Sequence, residues 1–372
     1  MKILVTGAHF TPAYATIEEL KKFPEVELVY VGRKTTLEGD PSSTSVESQV
    51  LPKLGVKFIS LIAGRLQRTF TLYTIPSFLK IPIGFIQAIY IILMERPDVI
   101  LSFGGYVALP AVVIGWLFSI PIMLHEQTLS LGLSNKISSY FADKIALSFK
   151  QGGFDQKRAI LVGNPIRNMI KEDFRILGGG LGTIFKQAKK EKLPVILITG
   201  GNQGSHTINR AVESILRELT TLSFIVHVTG DNKFKDFEKL QNLGTFDGRY
   251  KVEKWIGEEY GALLHWVDLV VSRAGINTLT ELAYVGKPAL VIPFEPLYKQ
   301  EQVRNARFFQ KAGLVKVLPQ SKLTPKSLLE NINPMIKNLD QLKQKAADAK
   351  KVIIPDAAKR LALEAVLLAK RR

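Results

Sequence analysis

The sequence predicts an α/β protein of two Rossmann-like, doubly wound parallel-sheet domains facing a cleft. Two runs carry most of that reading: Lys2-Ile-Leu-Val-Thr-Gly7 and Pro194-Val-Ile-Leu-Ile-Thr-Gly-Gly201 are each a short, uniformly apolar stretch that ends in glycine and opens into a helical pattern. A run apolar throughout, rather than at alternate positions, marks a strand buried on both faces, as in a parallel sheet covered by helices. The chain length of 372 residues agrees, being too long for one ordinary core and right for two of about 150–200 residues.

Taken in order, the first half shows further strand-to-turn units at 26–31, 99–103, 122–125 and 144–148, with helices between them. Residues 107–124 carry no charge and reach the ~18-residue threshold for a spanning helix. Pro110 and Pro121 cut them into pieces too short to cross, so they read as a buried helix followed by a strand. Residues 81–94 are shorter and carry Pro82, Gly84 and Gln87, so no span is predicted there either. The first strand runs straight into a glycine turn without the cleavage site of an export signal. The join falls near Gly163-Asn-Pro-Ile-Arg167, giving domains 1–162 and 163–340. Residues 171–193, with Gly178-Gly-Gly180 and many charges, read as a mobile connection. The second half repeats the strand-to-turn style at 224–229, 269–272 and 289–293, and 341–372 closes the chain with an amphipathic helix over 355–370.

Composition narrows the function. Forty-six per cent hydrophobic and 22% charged residues, without a low-complexity tract, describe a folded chain. The absence of cysteine excludes disulfides, thiolate metal sites and cysteine nucleophiles, and fits a reducing compartment. Fifty Lys and Arg against 33 Asp and Glu leave a formal charge of +17, which draws the protein to a polyanion. No RNA-binding aromatic signature, zinc-finger spacing or basic heptad helix is present, so an anionic membrane or a phosphorylated substrate is expected rather than nucleic acid.

Three glycine-rich turns follow predicted strands: Gly7-Ala-His9, Phe103-Gly-Gly-Tyr106 and Gly200-Gly-Asn-Gln-Gly204. Such turns let backbone N–H groups and a helix N-terminus face a phosphate, although tight packing of turn on sheet explains any one of them as well. None matches the patterns of NAD or ATP sites, and no Asp-x-Asp pair or ligand-spaced cluster suggests a metal. No cofactor is expected. In Ser272-Arg-Ala-Gly-Ile-Asn-Thr-Leu-Thr-Glu281 a strand passes through a turn into a helix whose first turn bears hydroxyls and a carboxylate. Thr278 and its neighbouring N–H groups suit a diphosphate; Glu281 suits either the hydroxyls of a ribose or the capping of its own helix.

That segment, followed by Gly-Lys-Pro-Ala289, Gln302 and Asn305-Ala, resembles the donor half of the MurG family of GT-B-fold transferases. Ser102-Phe-Gly-Gly-Tyr-Val107, His125-Glu-Gln127, the two motifs at 163–167 and 200–204, and Ile354-Pro-Asp-Ala357 fall in the same order along nearly the whole chain. The resemblance implies inverting transfer of GlcNAc from UDP-GlcNAc to the muramyl 4-hydroxyl of an undecaprenyl-diphosphate-linked acceptor, lipid I, at the cytoplasmic face of the membrane. It puts the uracil near Arg167 and Ile256, the phosphates near Asn202 and Thr278, and the ribose at Glu281, with Gln203 and Gly204 also on the donor side. The turn Gly275, Ile276 and Asn277, with Leu279, Thr280 and Gln302, completes the donor side, and Gln302 and Ile276 hold the GlcNAc. Gly7, Ala8, Gly104, Gly105, Tyr106, Glu126 and Thr128 fall to the acceptor diphosphate or the sugar. His9 matches the family histidine that ends the first glycine loop, and an imidazole titrating near ~6.5 suits a general base.

Three positions depart from the family pattern. The first loop is only Thr6-Gly-Ala-His9, about three residues short and with Ala8 for a glycine; Thr128 stands for an asparagine, and Asn202 for a serine. On the membrane side, residues 83–94 are apolar nearly all round and bordered by Arg65, Arg68 and Lys80. Phe78, Lys80, Ile83, Phe85 and Ile86 are therefore expected to form a patch that docks on anionic lipid.

Overall fold

The computed structural model describes residues 1–35, 44–64, 74–172, 178–201, 204–296 and 300–371, the side chains of 74–79 excepted. Arg65, Arg68, Asn202 and Gln203 lie outside the described residues, as does the side chain of Phe78.

Two compact units form, Met1–Arg167 with Ile354–Arg372, and Asn168–Ile353. In the first, strands β1 (Lys2–Thr6), β2 (Glu27–Gly32), β3 (Lys57–Ser60), β4 (Val99–Ser102), β5 (Ile122–Glu126), β6 (Lys144–Leu147) and β7 (Ala159–Leu161) make one sheet. Its order is β3-β2-β1-β4-β5-β6-β7, and every pair is parallel. Helices α1 (Phe10–Leu20), α2 (Val46–Val50), α3 (Thr74–Glu95), α4 (Ala108–Leu117) and α5 (Leu133–Ser138) connect the strands. Uniform apolarity in β1 serves both faces: Ile3 and Val5 pack with Ala13 and Ile17 of α1, while Leu4 packs with Ala88 of α3 and Val112 of α4.

The second unit holds β8 (Val195–Thr199), β9 (Phe224–Val228), β10 (Tyr250–Glu253), β11 (Leu269–Ser272), β12 (Ala289–Val291) and β13 (Val315–Val317), again all parallel, in the order β10-β9-β8-β11-β12-β13. Its helices are α6 (Asn168–Lys171), α7 (Gly179–Glu191), α8 (His206–Glu213), α9 (Leu216–Leu222), α10 (Asp236–Gln241), α11 (Tyr260–Trp266), α12 (Ile276–Val285), α13 (Glu301–Lys311), α14 (Pro325–Lys337) and α15 (Leu339–Asp348). The last helix, α16 (Ala357–Ala369), returns to the first unit, where Leu361, Ala362 and Ala365 pack against the face that carries α1.

Three expectations are corrected. The stretch 171–193 is not an open connection: α7 occupies most of it, because Leu181, Ile184, Phe185 and Ala188 recur at helical spacing and are buried. Its glycine triplet only leads into that helix, with Gly178 at the N-cap. Pro110 does not break the uncharged run, because it sits in the first turn of α4, where a missing N–H interrupts no helical bond. The segment 341–372 is not one closing element, since residues to Ile353 stay with the second unit and those from Ile354 join the first.

Both sheets reverse direction of winding at one place, between β1 and β4 and between β8 and β11. In an open parallel sheet the carboxyl ends of the strands flanking such a switch point border the ligand crevice. Three glycine-rich turns and the turn after β11 sit at these four strand ends.

Candidate active site

At the first switch point only Gly7, Ala8 and His9 separate β1 from α1. The turns after β1 and β4 interlock. Ala8 N–H donates to the Gly104 carbonyl at 2.9 Å, and the hydroxyl of buried Tyr30 donates to the Gly7 carbonyl at 3.0 Å. A Cβ on Gly7 would lie 2.9 Å from Phe103, and one on Gly105 2.5 Å from the Cβ of Ala8. These glycines are thus required by the packing of one turn on the other. His9 holds the N-cap position of α1 without a side-chain capping bond. A charge on His9 is felt by His125, at the end of β5. Burial, with a smaller contribution from His9, pushes the His125 imidazole down to about 3, against a hydrogen bond to Gly163. Its Nε2 lies 3.0 Å from Ser148 Oγ and 3.4 Å from the Gly163 carbonyl, which fixes the neutral ring.

Glu126 and Thr128 organise the next loop. The buried Glu126 carboxylate accepts from the Thr128 N–H at 2.9 Å and from Asn135 Nδ2 at 2.8 Å, and Thr128 Oγ1 lies 2.7 Å from it. Both side chains are engaged within the loop. Tyr106, just beyond Gly105, receives a hydrogen bond from Arg33 at 3.1 Å. Arg167 ends the first of the two stretches that make up the first unit.

At the second switch point Gly204 takes φ +71°, and a Cβ there would sit 1.9 Å from the Thr229 carbonyl. The same carbonyl accepts from Asn209 Nδ2 of α8 at 3.1 Å. Beneath the turn lies a buried polar network. Asp236 accepts from Asn209 at 2.8 Å and Asn232 at 3.0 Å and pairs with His206 Nδ1 at 2.8 Å. Burial alone would raise its carboxyl, but hydrogen bonds from Asn209, His206 and Asn232 hold it below the ordinary range. His227 bridges Asn209 Oδ1 and the Tyr250 hydroxyl at 3.0 and 3.2 Å, and burial pushes its pKa down to about 3. Through Asn209 this network holds the Thr229 carbonyl against which Gly204 packs.

After β11, Gly275 caps α12 in extended conformation, and the first helical bond runs from Leu279 N–H to the Gly275 carbonyl at 3.0 Å. The N–H groups of Ile276, Asn277 and Thr278 therefore have no acceptor within the helix and carry its positive dipole end. Thr278 and Asn277 are half-buried at this end. Leu279 faces the core, the Thr280 hydroxyl donates to the Ile276 carbonyl at 2.8 Å, and Glu281 is only 3% exposed. Two side chains brace the turn, and a third holds the loop after β12. Asn305 donates to the Ala274 carbonyl at 3.2 Å, Arg273 to the Ile292 carbonyl at 3.1 Å, and Gln302 Oε1 accepts from Phe294 N–H at 2.9 Å. Ile256 lines a cavity of about 310 Å³ beside β10, with Gly180, Lys251, Glu253, Trp255 and Glu259 among its walls.

The expected membrane patch is reshaped. Phe85 packs towards the core, whereas Ile83 and Ile86 face outwards, continued by Tyr90, Leu93 and Met94 and, at the end of α4, by Trp116 and Leu117. Lys80 is half-buried. Among the described residues no helix is long and apolar enough to cross a membrane.

With this geometry in place, comparison with known proteins is specific. The N-terminal domain of glycosyltransferase family 28 matches residues 5–147, and its C-terminal domain matches residues 195–361. The UDP-N-acetylglucosamine–N-acetylmuramyl-(pentapeptide) pyrophosphoryl-undecaprenol N-acetylglucosamine transferase of Clostridium kluyveri is 32% identical over 341 residues, covering 90% of this chain and 91% of its own. The crystal structure of Acinetobacter baumannii MurG is similar with a TM-score of 0.71 at 22% identity, over 98% of this chain and 99% of the other. A UDP-GlcNAc 2-epimerase from Neisseria meningitidis, solved with UDP-GlcNAc, shares the fold with a TM-score of 0.63 at 16% identity, over 99% of this chain and 100% of the other.

Proposed function

Because the chain belongs to the MurG family of glycosyltransferase family 28, we propose that it transfers GlcNAc from UDP-GlcNAc to the muramyl 4-hydroxyl of lipid I, with inversion, to give lipid II. The observation that carries this reading is the continuity of the likeness: 32% identity holds over 90% of the chain, through both domains. The likeness to the 2-epimerase, at 16% identity, supports the fold alone.

In this reaction the acceptor oxygen forms a bond to the anomeric carbon as the bond from that carbon to the UDP oxygen breaks. The transition state is oxocarbenium-like, and negative charge gathers on the departing diphosphate. The N–H groups that open α12, and the turn ending at Gly204, meet that charge with fixed dipoles. His9 takes the proton of the attacking hydroxyl. Purified protein given UDP-GlcNAc should release UDP only when a short-chain lipid I analogue is added, with a disaccharide product. Interconversion of UDP-GlcNAc with its 2-epimer, without an acceptor, overturns the reading.

The acceptor is lipid-linked, and the outward face of α3 with the end of α4 is the surface that lies against the cytoplasmic side of the membrane. Burying an isoleucine side chain is worth about 1.5–3 kcal/mol. Ile86→Glu, at a position 66% exposed in the free protein, should therefore weaken binding to anionic vesicles about tenfold or more. Co-sedimentation at low salt measures this, and unchanged binding removes the patch.

A further inference from the structure

At the amino ends of its strands, opposite the glycine turns, the first unit encloses a cavity of about 400 Å³. Strand starts and the end of the last helix build it. Pro121 precedes β5, Lys144 opens β6, Arg158 precedes β7, and Leu368 closes the hollow from α16. The volume falls in the ~300–1,000 Å³ range of small-molecule sites.

The charge of its lining is one-sided. Lys144, Lys157, Arg158 and Arg371 face the single carboxylate of Asp143, which already accepts from the Ile122 N–H at 2.7 Å. Two of the four cations are held elsewhere: Lys144 pairs with Glu364 at 2.5 Å, and Arg158 with Asp155 at 3.2 Å. Arg158 also donates to the Ala142 carbonyl at 2.7 Å, which fixes its guanidinium. Lys157 and Arg371 are exposed and make no ion pair among the described residues. Like charges gathered in one hollow repel one another, and an anion among them relieves that repulsion. Pro121, Ile160 and the buried Leu368 add an apolar wall. A bare anion would leave that wall unused.

We propose that this cavity binds an organic phosphate with an apolar body, the phosphate held by Lys157 and Arg371 and the body lying against Pro121, Ile160 and Leu368. A guanidinium fork pairs with phosphate oxygens in two parallel hydrogen bonds, and an ammonium adds a point charge. The glycine turns stand at the other end of the same strands, so this site is separate from the transfer chemistry and does not depend on it.

Protein saturated with UDP, which fills the donor contacts, is titrated by calorimetry with octyl phosphate below its micelle concentration. Wild type should bind. Lys157→Gln with Arg371→Gln should bind about tenfold or more weakly, and Lys157→Glu with Arg371→Glu more weakly still. These side chains are exposed, so both double variants should melt as wild type does. Inorganic phosphate and the uncharged octyl glucoside should each bind wild type at least about tenfold more weakly than octyl phosphate. Ile86→Glu, on the outward face of α3, should bind octyl phosphate as wild type does. Equal affinity of wild type and the Glu double variant overturns the proposal, and so does inorganic phosphate that binds as tightly as octyl phosphate. Binding lost in Ile86→Glu overturns it too, because the amphiphile would then sit on α3. Two sources share this chemistry. If the Glu double variant no longer sediments with phosphatidylglycerol vesicles, the ligand is a lipid headgroup; if it still does, the ligand is a soluble phosphate ester.

Discussion

Replacing His9 with alanine should lower kcat about 10²–10⁴-fold, the range a positioned general base contributes, while KM for UDP-GlcNAc stays within about twofold. The histidine stands at the end of β1, at the switch point, and precedes α1 without capping it through its side chain. Removing the ring takes away no capping bond, and a thermal melt of the variant separates a fall in rate from a fall in stability. The base must be neutral to accept a proton, so kcat/KM of the wild type should fall on the acid side, and that limb should vanish in His9→Ala. Continuous UDP release measured across pH with the lipid I analogue reads both effects. An unchanged kcat in His9→Ala would leave the acceptor hydroxyl to be deprotonated by another group or by solvent.

The parts of the fold legible in the sequence are those whose physics is local. Runs such as Ile3-Leu-Val5 and Ile196-Leu-Ile198 are uniformly apolar because each strand serves two packed faces, and that shows at a glance. The strands β3, β7, β10 and β13 went unread, for they are three or four residues long and half-exposed, and the pattern has no room to develop. In 171–193 glycines and charges mask the 3.6-residue rhythm of Leu181, Ile184, Phe185 and Ala188 that places α7. The glycine turns were legible as turns, but their reason was not. At Gly7 and Gly105 the neighbour that excludes a Cβ is Phe103 or Ala8, brought together by the parallel pairing of β1 with β4, and at Gly104 it is Asn135 of α5. The pairing of Arg33 with Tyr106 had no motif to announce it, since the two lie 73 residues apart. The same holds for Asp236, whose three partners span α8 and the loop after β9.

Acid should destabilise both units well before their carboxylates are titrated, and two buried histidines set the window. His125 and His227 are 1% and 0% exposed, and burial lowers each to about 3 in the folded protein, against ~6.5 in the unfolded chain. The unfolded chain thus takes up protons first as the pH falls. The stability each neutral ring contributes is complete above ~6.5 and is lost progressively down to about 3. At pH 5 the loss is about 2 kcal/mol for each histidine, one in each unit. For units of this size that is a fall in melting temperature of roughly 4–8 °C. Calorimetry at pH 7.5 and pH 5.0 measures it. His227→Gln offers a control, because a carboxamide keeps a donor for Asn209 Oδ1 but binds no proton in this range. The second unit should then lose most of its pH dependence, while the first unit, still carrying His125, keeps its own. If His227→Gln melted with the same difference between the two pH values as wild type, the acid sensitivity of the second unit would have to come from groups other than His227.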